Sequence, residues 1–189
     1  MAHFSGKPLV VKSRFADIPG SCRYCSEEAA ETIRKELEKS PRGAIHLLGS
    51  GDYHYVCLFL LERLKTPFTL VLFDNHPDDQ GGAFGEELLS CGGWVARARD
   101  LPLCREVLWN PEETPQGRNV YLSVDLDVLS EEHATTNWNQ GEMSLEDLLG
   151  RIRAIKENNR MEGVDICGAI PEDPDINAAV TGKIIEVFL

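Results

Sequence analysis

Short apolar runs alternate along this chain with segments in which apolar residues recur at helical spacing. The runs predict strands at residues 9–12, 44–48, 68–73, 105–109, 120–124 and 164–167. The intervening segments predict helices at residues 26–39, 53–64, 86–90, 144–158 and 175–188. Strands that alternate with helices pair in parallel and carry helices on both faces of the sheet. The pattern therefore predicts an α/β fold, a single three-layer domain that spans residues 1–189.

Two of the predicted helices have recognisable first residues. Ser26 precedes two glutamates, and acidic residues in the first turn favour a helix start. Ser144 has the side chain of an N-cap, and Asp147 follows at the third helical position. The helix at residues 53–64 is apolar on every side, which predicts that it is buried.

Acidic and imidazole side chains follow three of the predicted strands. The segments are Gly51-Asp52-Tyr53-His54, Asp74-Asn75-His76-Pro77-Asp78 and Ser123-Val124-Asp125-Leu126-Asp127. In an open parallel sheet, ligands bind at the edge formed by the carboxyl ends of the strands. None of the three segments contains Lys or Arg, so converging acids there indicate a metal site and not a salt-bridge network.

The spacing within these segments allows several side chains to face one site. Residues i and i+2 of a strand point the same way, so Asp125 and Asp127 are presented together. Asp74, His76 and Asp78 are presented together if the chain stays extended, which Pro77 favours at the preceding residue. Carboxylates and imidazoles without thiolate suit Mn, Fe, Co, Ni or Zn. A set of this size, dominated by carboxylates, predicts two ions that share bridging aspartates.

These motifs resemble the arginase/agmatinase (ureohydrolase) superfamily, whose fold is shared by deacetylase-like amidohydrolases. The Asp-x-His-x-Asp motif is matched by Asp74, His76 and Asp78, and the Ser-x-Asp-x-Asp motif by residues 123–127. The Gly-Gly-Asp-His motif is matched loosely, because Tyr53 is inserted before His54. The resemblance extends from about residue 46 to residue 171, and the motifs occur in the family's order.

The resemblance implies a role for each matched residue. Asp74 and Asp125 would bridge two Mn²⁺ ions, with Zn²⁺, Fe²⁺ and Co²⁺ as alternatives. His54 and Asp78 would complete one ion, and His76 and Asp127 the other. The inserted Tyr53 leaves Asp52 as an alternative to His54.

Departures from the family pattern concern the substrate. Gly168 stands where arginases and agmatinases have the glutamate that holds the guanidinium, and Cys91 stands near a missing family histidine. A guanidinium without a carboxylate partner would be poorly held. We therefore expect a metal-dependent hydrolase of an amide or amidine-type C–N bond whose substrate is not arginine. Glu172 is the first candidate for a replacement acid if arginine is a substrate.

The expected mechanism needs a base and a proton donor. Asp78 is the expected base, because it is expected to bind the attacking hydroxide. The leaving nitrogen would take its proton from Asp78, His133 or water. His133 follows the third motif in a loop at the same edge of the sheet, and imidazole titrates near neutral pH. His46 lies within a predicted strand, and we interpret it as a core histidine. Trp138 is interpreted as a partly buried aromatic or as a wall of the pocket.

Composition limits the partners. The chain has 189 residues, with 19 Lys and Arg against 31 Asp and Glu, and its net charge of -12 argues against nucleic acid and anionic membranes. No apolar run approaches the ~20 residues that span a bilayer, and no long apolar segment begins the chain. We expect a cytoplasmic protein with a small-molecule substrate, and its six cysteines, including Cys22 and Cys25, as reduced thiols. A homo-oligomer remains open.

Two other functions fit the same residues. A mononuclear, deacetylase-like amidohydrolase would use Asp74, His76 and Asp125 alone. A non-catalytic arginase-fold binding protein would keep the fold without the reaction, and the missing glutamate favours this reading, whereas the intact second and third motifs argue against it.

Overall fold

The computed structural model describes residues 7–81, 88–171 and 174–189. Its strands are β1 (Val10–Lys12), β2 (Tyr24–Cys25), β3 (Ile45–Gly49), β4 (Phe68–Phe73), β5 (Leu89–Ser90), β6 (Cys104–Trp109), β7 (Asn119–Asp125) and β8 (Arg160–Cys167). Its α-helices are α1 (Glu27–Glu38), α2 (Val56–Glu62), α3 (Trp94–Arg99), α4 (Leu145–Asn158) and α5 (Pro174–Glu186). Short 3₁₀ turns occupy Phe15–Asp17, Gly51–Tyr53 and Leu126–Val128.

Six of these strands form one sheet in the order β1-β3-β8-β7-β4-β6, and every neighbouring pair is parallel. The carboxyl ends of the four central strands therefore meet at one edge of the sheet. β2 and β5 form a separate antiparallel pair, with Tyr24 opposite Ser90 and Cys25 opposite Leu89. The α/β fold class with a parallel sheet is confirmed.

Two apolar cores lie on opposite faces of the sheet. Residues such as Ile33 of α1, Phe59 of α2 and Trp94 of α3 belong to one core. Ile152 of α4 and Ile184 of α5 belong to the other. Helices thus cover both faces, which explains why the central strands are apolar throughout.

The helix starts follow the predicted caps. Ser26 Oγ accepts a hydrogen bond from the backbone N–H of Ala29 at 3.2 Å, and Ser144 Oγ accepts one from Asp147 at 3.1 Å. Burial in α1 falls on Ala29, Ile33 and Leu37, a four-residue spacing that forms one helix face. An N-cap of this kind stabilises a helix by about 1 kcal/mol.

Four local features of the structure differ from the sequence predictions. Residues 89–90 form β5 and not the end of a helix at 86–90, because they pair with β2 far away in the chain; residues 86 and 87 lie outside the described residues. α3 was not predicted, and α2 begins at Val56, after the 3₁₀ turn, and not at residue 53. Asp78 has a φ of 47°, so the chain does not stay extended to the end of the second motif.

Membrane-spanning helices are not found in the part of the chain that the structure describes. None of its helices combines the length and the apolar composition needed to cross a bilayer.

Candidate metal centre

A pocket of about 280 Å³ opens at the edge where the central strands end. All six residues predicted as metal ligands line it: His54, Asp74, His76, Asp78, Asp125 and Asp127. The 3₁₀ turn after β3 presents His54, the segment after β4 presents the second motif, and β7 ends at Asp125. The parallel sheet thus brings together side chains that are far apart in sequence.

His54 lies at the centre of one group of ligands. Its side chain is 1% exposed, and its Nδ1 atom is 3.1 Å from Asp74 Oδ2, 3.1 Å from Asp78 Oδ2 and 3.6 Å from Asp125 Oδ2. Nδ1 is buried and has no hydrogen-bond partner. A buried imidazole nitrogen surrounded by carboxylate oxygens fits a divalent cation, which would accept all of these donors.

Asp52 points away from this group. Its Oδ1 accepts hydrogen bonds from Arg23 Nε at 3.1 Å, Asn137 Nδ2 at 3.0 Å and Trp138 Nε1 at 3.2 Å. The inserted Tyr53 is absorbed by the 3₁₀ turn, so that His54 and not Asp52 faces the carboxylates.

A second group adjoins the first and shares Asp74 with it. His76 Nδ1 is 2.9 Å from Asp127 Oδ2 and 3.6 Å from Asp74 Oδ1. Ligand atoms of Asp74, His76 and Asp127 lie within 4.8 Å of one another, as do those of His54, Asp74 and Asp78. The His76 side chain is 31% exposed, so this group lies on the open side of the pocket.

Backbone N–H groups orient the carboxylates. Asp125 Oδ1 accepts from Asp127 N at 2.9 Å, Asp127 Oδ1 accepts from Asn75 N at 3.0 Å, and Asp74 Oδ1 accepts from His76 N at 2.6 Å. The indole of Trp94 donates to Asp78 Oδ2 at 2.8 Å. Each carboxylate is therefore held in position without any ion pair to Lys or Arg among the described residues.

Crowding of these acids shifts their proton affinities. Burial, followed by the charge of Asp74, raises the pKa of Asp125 to about 6. Burial, followed by the charges of Asp125 and Asp74, raises the pKa of Asp127 to about 9. Burial acts against ionisation of Asp74 as well, but its closeness to the imidazoles of His54 and His76 outweighs burial and lowers its pKa to about 2. Divalent cations would neutralise this cluster of buried negative charge.

A polar chain that sequence reasoning missed lies behind His54. The Nε2 atom of His54 is 2.8 Å from Ser123 Oγ, and that hydroxyl donates to Asp165 Oδ1 at 2.8 Å. Since Ser123 gives its proton to Asp165, its oxygen accepts the Nε2 proton of His54. With a cation bound, a neutral His54 ring protonated at Nε2 would present an unprotonated Nδ1 to the ion, as in sites where hydrogen bonding to the other ring nitrogen orients a metal-binding histidine. Ser123 was recognised as part of a motif, but Asp165 was not predicted to contribute.

Cys167 also lies in the cluster, which corrects the expectation of a site without a thiol. Its side chain is fully buried, and its Sγ lies 2.9 Å from Asp125 Oδ2. Ligand atoms of His54, Asp125 and Cys167 lie within 4.8 Å of one another. The residue follows no sequence motif, so only the cross-strand register could have indicated it.

The mouth of the pocket is formed by Arg23 and Trp138, together with the antiparallel pair of β2 and β5. The Arg23 guanidinium lies 5.5 Å from the centre of the Trp138 ring. Trp138 is therefore a pocket wall, as one of the two sequence interpretations held. Cys91 lines the same pocket, and all six cysteines are free thiols.

Other candidates lie elsewhere or fall outside the description. His133 is not among the described residues that line the pocket, so the structure gives no support to its predicted catalytic role. His46 is 3% exposed within β3, and burial lowers its pKa to about 4, consistent with a core histidine. Glu172 lies outside the described residues.

Comparisons with known proteins agree with this fold. No protein-family model matches the chain. An uncharacterized protein of Thermotoga maritima is 37% identical over 144 residues, which cover 66% of this chain and 57% of that relative. The match thus spans little more than half the length of the relative.

Solved structures of the same fold are similar over most of the chain. The arginase of Medicago truncatula superposes with a TM-score of 0.70 at 16% identity, covering 86% of this chain and 64% of that one. The structure of a formiminoglutamase of Trypanosoma cruzi, determined with Mn²⁺, superposes with a TM-score of 0.64 at 12% identity. The match covers 86% of this chain and 71% of that one. The arginase-like fold expected from the motifs is confirmed.

Proposed function

We propose that this chain, which has the arginase fold, is a metal-dependent hydrolase of a C–N bond in an amide or amidine. The observation that carries the proposal is the pair of adjoining ligand groups, His54 with Asp74 and Asp78, and Asp74 with His76 and Asp127. Two divalent ions bound there would lower the pKa of a water molecule to near neutral and polarise the bond to be cleaved. Mn²⁺ is supported by the Trypanosoma cruzi structure, which was determined with that ion.

Asp78 is the residue that we assign as the base. Burial is the main cause of its raised pKa, and the charge of Asp74 adds to it. A carboxylate with a raised pKa takes up a proton more readily at neutral pH. Trp94 donates a hydrogen bond to its Oδ2 at 2.8 Å, and Asp78 lines the pocket, which supports Asp78 as the residue that would pass a proton to the leaving nitrogen.

The substrate that we propose lacks a guanidinium. Gly168 has a φ of 94°, and a Cβ there would lie 2.5 Å from Asp125 Oδ1 and 2.8 Å from Leu126 N. A glutamate at this position would therefore displace Asp125, a proposed metal ligand. The backbone conformation at Gly168 thus supports a site that does not bind a guanidinium through a glutamate at this position. Arg23 is the one Lys or Arg among the described residues that line the pocket. Its Nε already donates to Asp52, and the two terminal nitrogens of its guanidinium would favour a substrate with a carboxylate near the mouth.

The proposal is tested by hydrolysis assays on Mn²⁺-loaded protein. The panel pairs N-acyl and N-formimino amino acids with the same amines without the carboxylate, and it includes arginine and agmatine. We expect release of amine or ammonia from a carboxylate-bearing compound, and loss of that activity in Asp78→Asn. Asp79→Asn is the matched control, because Asp79 is the next residue and pairs with Arg99 at the surface.

The same panel decides between the alternatives. Urea release from arginine with a kcat above ~1 per second would refute the proposed substrate class. One bound ion with deacetylation of N-acetyl compounds would favour the mononuclear reading. Tight metal binding without turnover of any compound would favour a binding protein.

A further inference from the structure

The thiol of Cys167 is distinguished by how closely it approaches a carboxylate oxygen. Its Sγ lies 2.9 Å from Asp125 Oδ2. The other sulfur–oxygen contacts, made by Cys22, Cys25 and Cys104, are 3.5 to 3.7 Å long. The sulfur and the carboxylate oxygen thus converge on one place more closely than an ordinary thiol hydrogen bond requires.

Strand register explains how Cys167 reaches this position. Cys167 of β8 is the direct partner of Asp125 of β7, so the two side chains leave the sheet on the same side. Asp165 precedes it by two residues and holds His54 through Ser123, so both β8 side chains face the cluster. Cys167 is the last residue of β8 and lies at the same sheet edge as the other ligands.

A buried cysteine often acts as a small apolar residue, and Cys167 does contact the core formed with α1, α2 and α3. Packing alone does not account for its neighbours here. Cys167 belongs to a group of possible metal ligands with Asp125 and His54. The Nδ1 atom of His54 is buried and has no hydrogen-bond partner, so it is available to bind a metal ion. An imidazole nitrogen, a carboxylate and a sulfur within 4.8 Å of one another form a mixed donor set.

We infer that Cys167 is a thiolate ligand of the ion on the His54 side of the centre. This inference rests on the metal site of the proposed function and extends it. Thiolate ligands favour Zn²⁺ and similar ions, whereas carboxylate ligands suit Mn²⁺. The two positions therefore differ: the one beside His54 is thiophilic, and the one formed by Asp74, His76 and Asp127 has only oxygen and nitrogen ligands. Under this inference, the position beside His54 would hold Zn²⁺ or Co²⁺ more tightly than Mn²⁺, while both positions could still be loaded with Mn²⁺.

Titration of the metal-free protein with Co²⁺ tests this assignment. The visible absorption of Co²⁺ reports binding, and an intense near-ultraviolet band reports a bond from thiolate to Co²⁺. We expect both signals in the wild type, and loss of the near-ultraviolet band with retained visible absorption in Cys167→Ser. Cys91→Ser is the matched control, because Cys91 lines the same pocket, and it should keep both signals.

The outcomes separate this inference from the proposed function. Bound Co²⁺ without the thiolate band in the wild type would overturn the role of Cys167 and leave the metal centre intact. A band that disappears in Cys91→Ser and persists in Cys167→Ser would also overturn it. Absence of bound Co²⁺ would overturn the metal centre itself and the inference with it. If Cys167→Ser folds poorly, Cys91→Ser still decides the question: a thiolate band that persists in Cys91→Ser supports Cys167, and a band that disappears there overturns its role.

Discussion

The Nε2 atom of His54 lies 2.8 Å from the hydroxyl of Ser123, on the side of the ring opposite the carboxylates. That hydroxyl donates to Asp165, which is fully buried. The pair therefore fixes the orientation and the tautomer of the ring that faces Asp74 and Asp78. The serine of the third motif thus orients a candidate metal ligand that lies in the turn after β3.

Replacing Asp165 tests this arrangement. Asp165→Asn keeps the shape but weakens the acceptor of the Ser123 hydroxyl, so the His54 ring loses part of its orientation. We expect the affinity for one ion to fall by about 10–100-fold, with the second ion affected less. Metal titration by calorimetry measures the change, and Asp175→Asn, at an exposed position of α5, is the control. Equal affinities in both variants would contradict a role for Asp165.

The strand-end motifs made most of the site predictable. Asp74, Asp125 and His54 follow or end buried strands, and the sheet edge brings such residues together whatever their distance in sequence. Asp165 and Cys167 were missed because they lie within β8, where their contribution depends on the register with β7. Apolar periodicity reveals a strand but not its register with a neighbour.

The mouth of the pocket was unpredictable for a related reason. The β2–β5 pair has only two residues in each strand, too few for a recognisable alternation. Arg23 enters it with a φ of 62°, a conformation that only long-range contacts impose on a non-glycine residue. His133 was predicted from its place after the third motif, but sequence position does not specify the path of a loop.

Metal analysis of ligand variants tests the assignment of the two positions. The wild type should bind close to two Mn²⁺, and Asp74→Ala should release both because Asp74 belongs to both groups. His54→Ala should release one. Asp125→Ala should release both if this residue bridges, as the family resemblance implies. Elemental analysis after gel filtration measures the content.

Asp52→Ala is the matched control for His54→Ala, since Asp52 lies two residues earlier and points to the pocket mouth. It should keep both ions. If Asp52→Ala lost an ion while His54→Ala kept both, Asp52 and not His54 would be the ligand. If Asp74→Ala lost only one ion, Asp74 would not bridge the two ions.

Stability of the metal-free protein should fall as pH rises through the range in which Asp125 ionises. Its pKa is about 6 in the folded protein, because of burial and the charge of Asp74, against about 3.9 in an unfolded chain. The folded state therefore binds the proton more tightly, and the favourable contribution is complete below pH ~3.9 and lost as pH rises through 6. A shift of this size corresponds to roughly 3 kcal/mol.

Urea unfolding of wild type and Asp125→Asn, both with chelator, measures this effect between pH 4 and 7. Asp125→Asn should gain stability relative to the wild type as the pH rises. Saturating Mn²⁺ should reverse the slope for the wild type, because metal binding needs deprotonated ligands. A constant difference between the two proteins across this range would contradict the raised pKa.

Gly168 should tolerate no side chain without loss of the metal centre. Its φ of 94° disfavours any L-residue, and a Cβ would lie 2.5 Å from Asp125 Oδ1 and 3.0 Å from Leu126 Cβ. Gly168→Ala therefore forces Asp125 to move, and we expect a loss of stability of about 2 kcal/mol or more together with weaker Mn²⁺ binding.

Gly182→Ala is the matched control. Gly182 lies in α5 with no atom near its Cβ position, so this change should be neutral or stabilise the protein by up to about 1 kcal/mol. Thermal unfolding with and without Mn²⁺ separates the two effects. If Gly168→Ala bound Mn²⁺ as tightly as the wild type, Asp125 would not depend on this glycine, and the structural reason for excluding a glutamate there would fail.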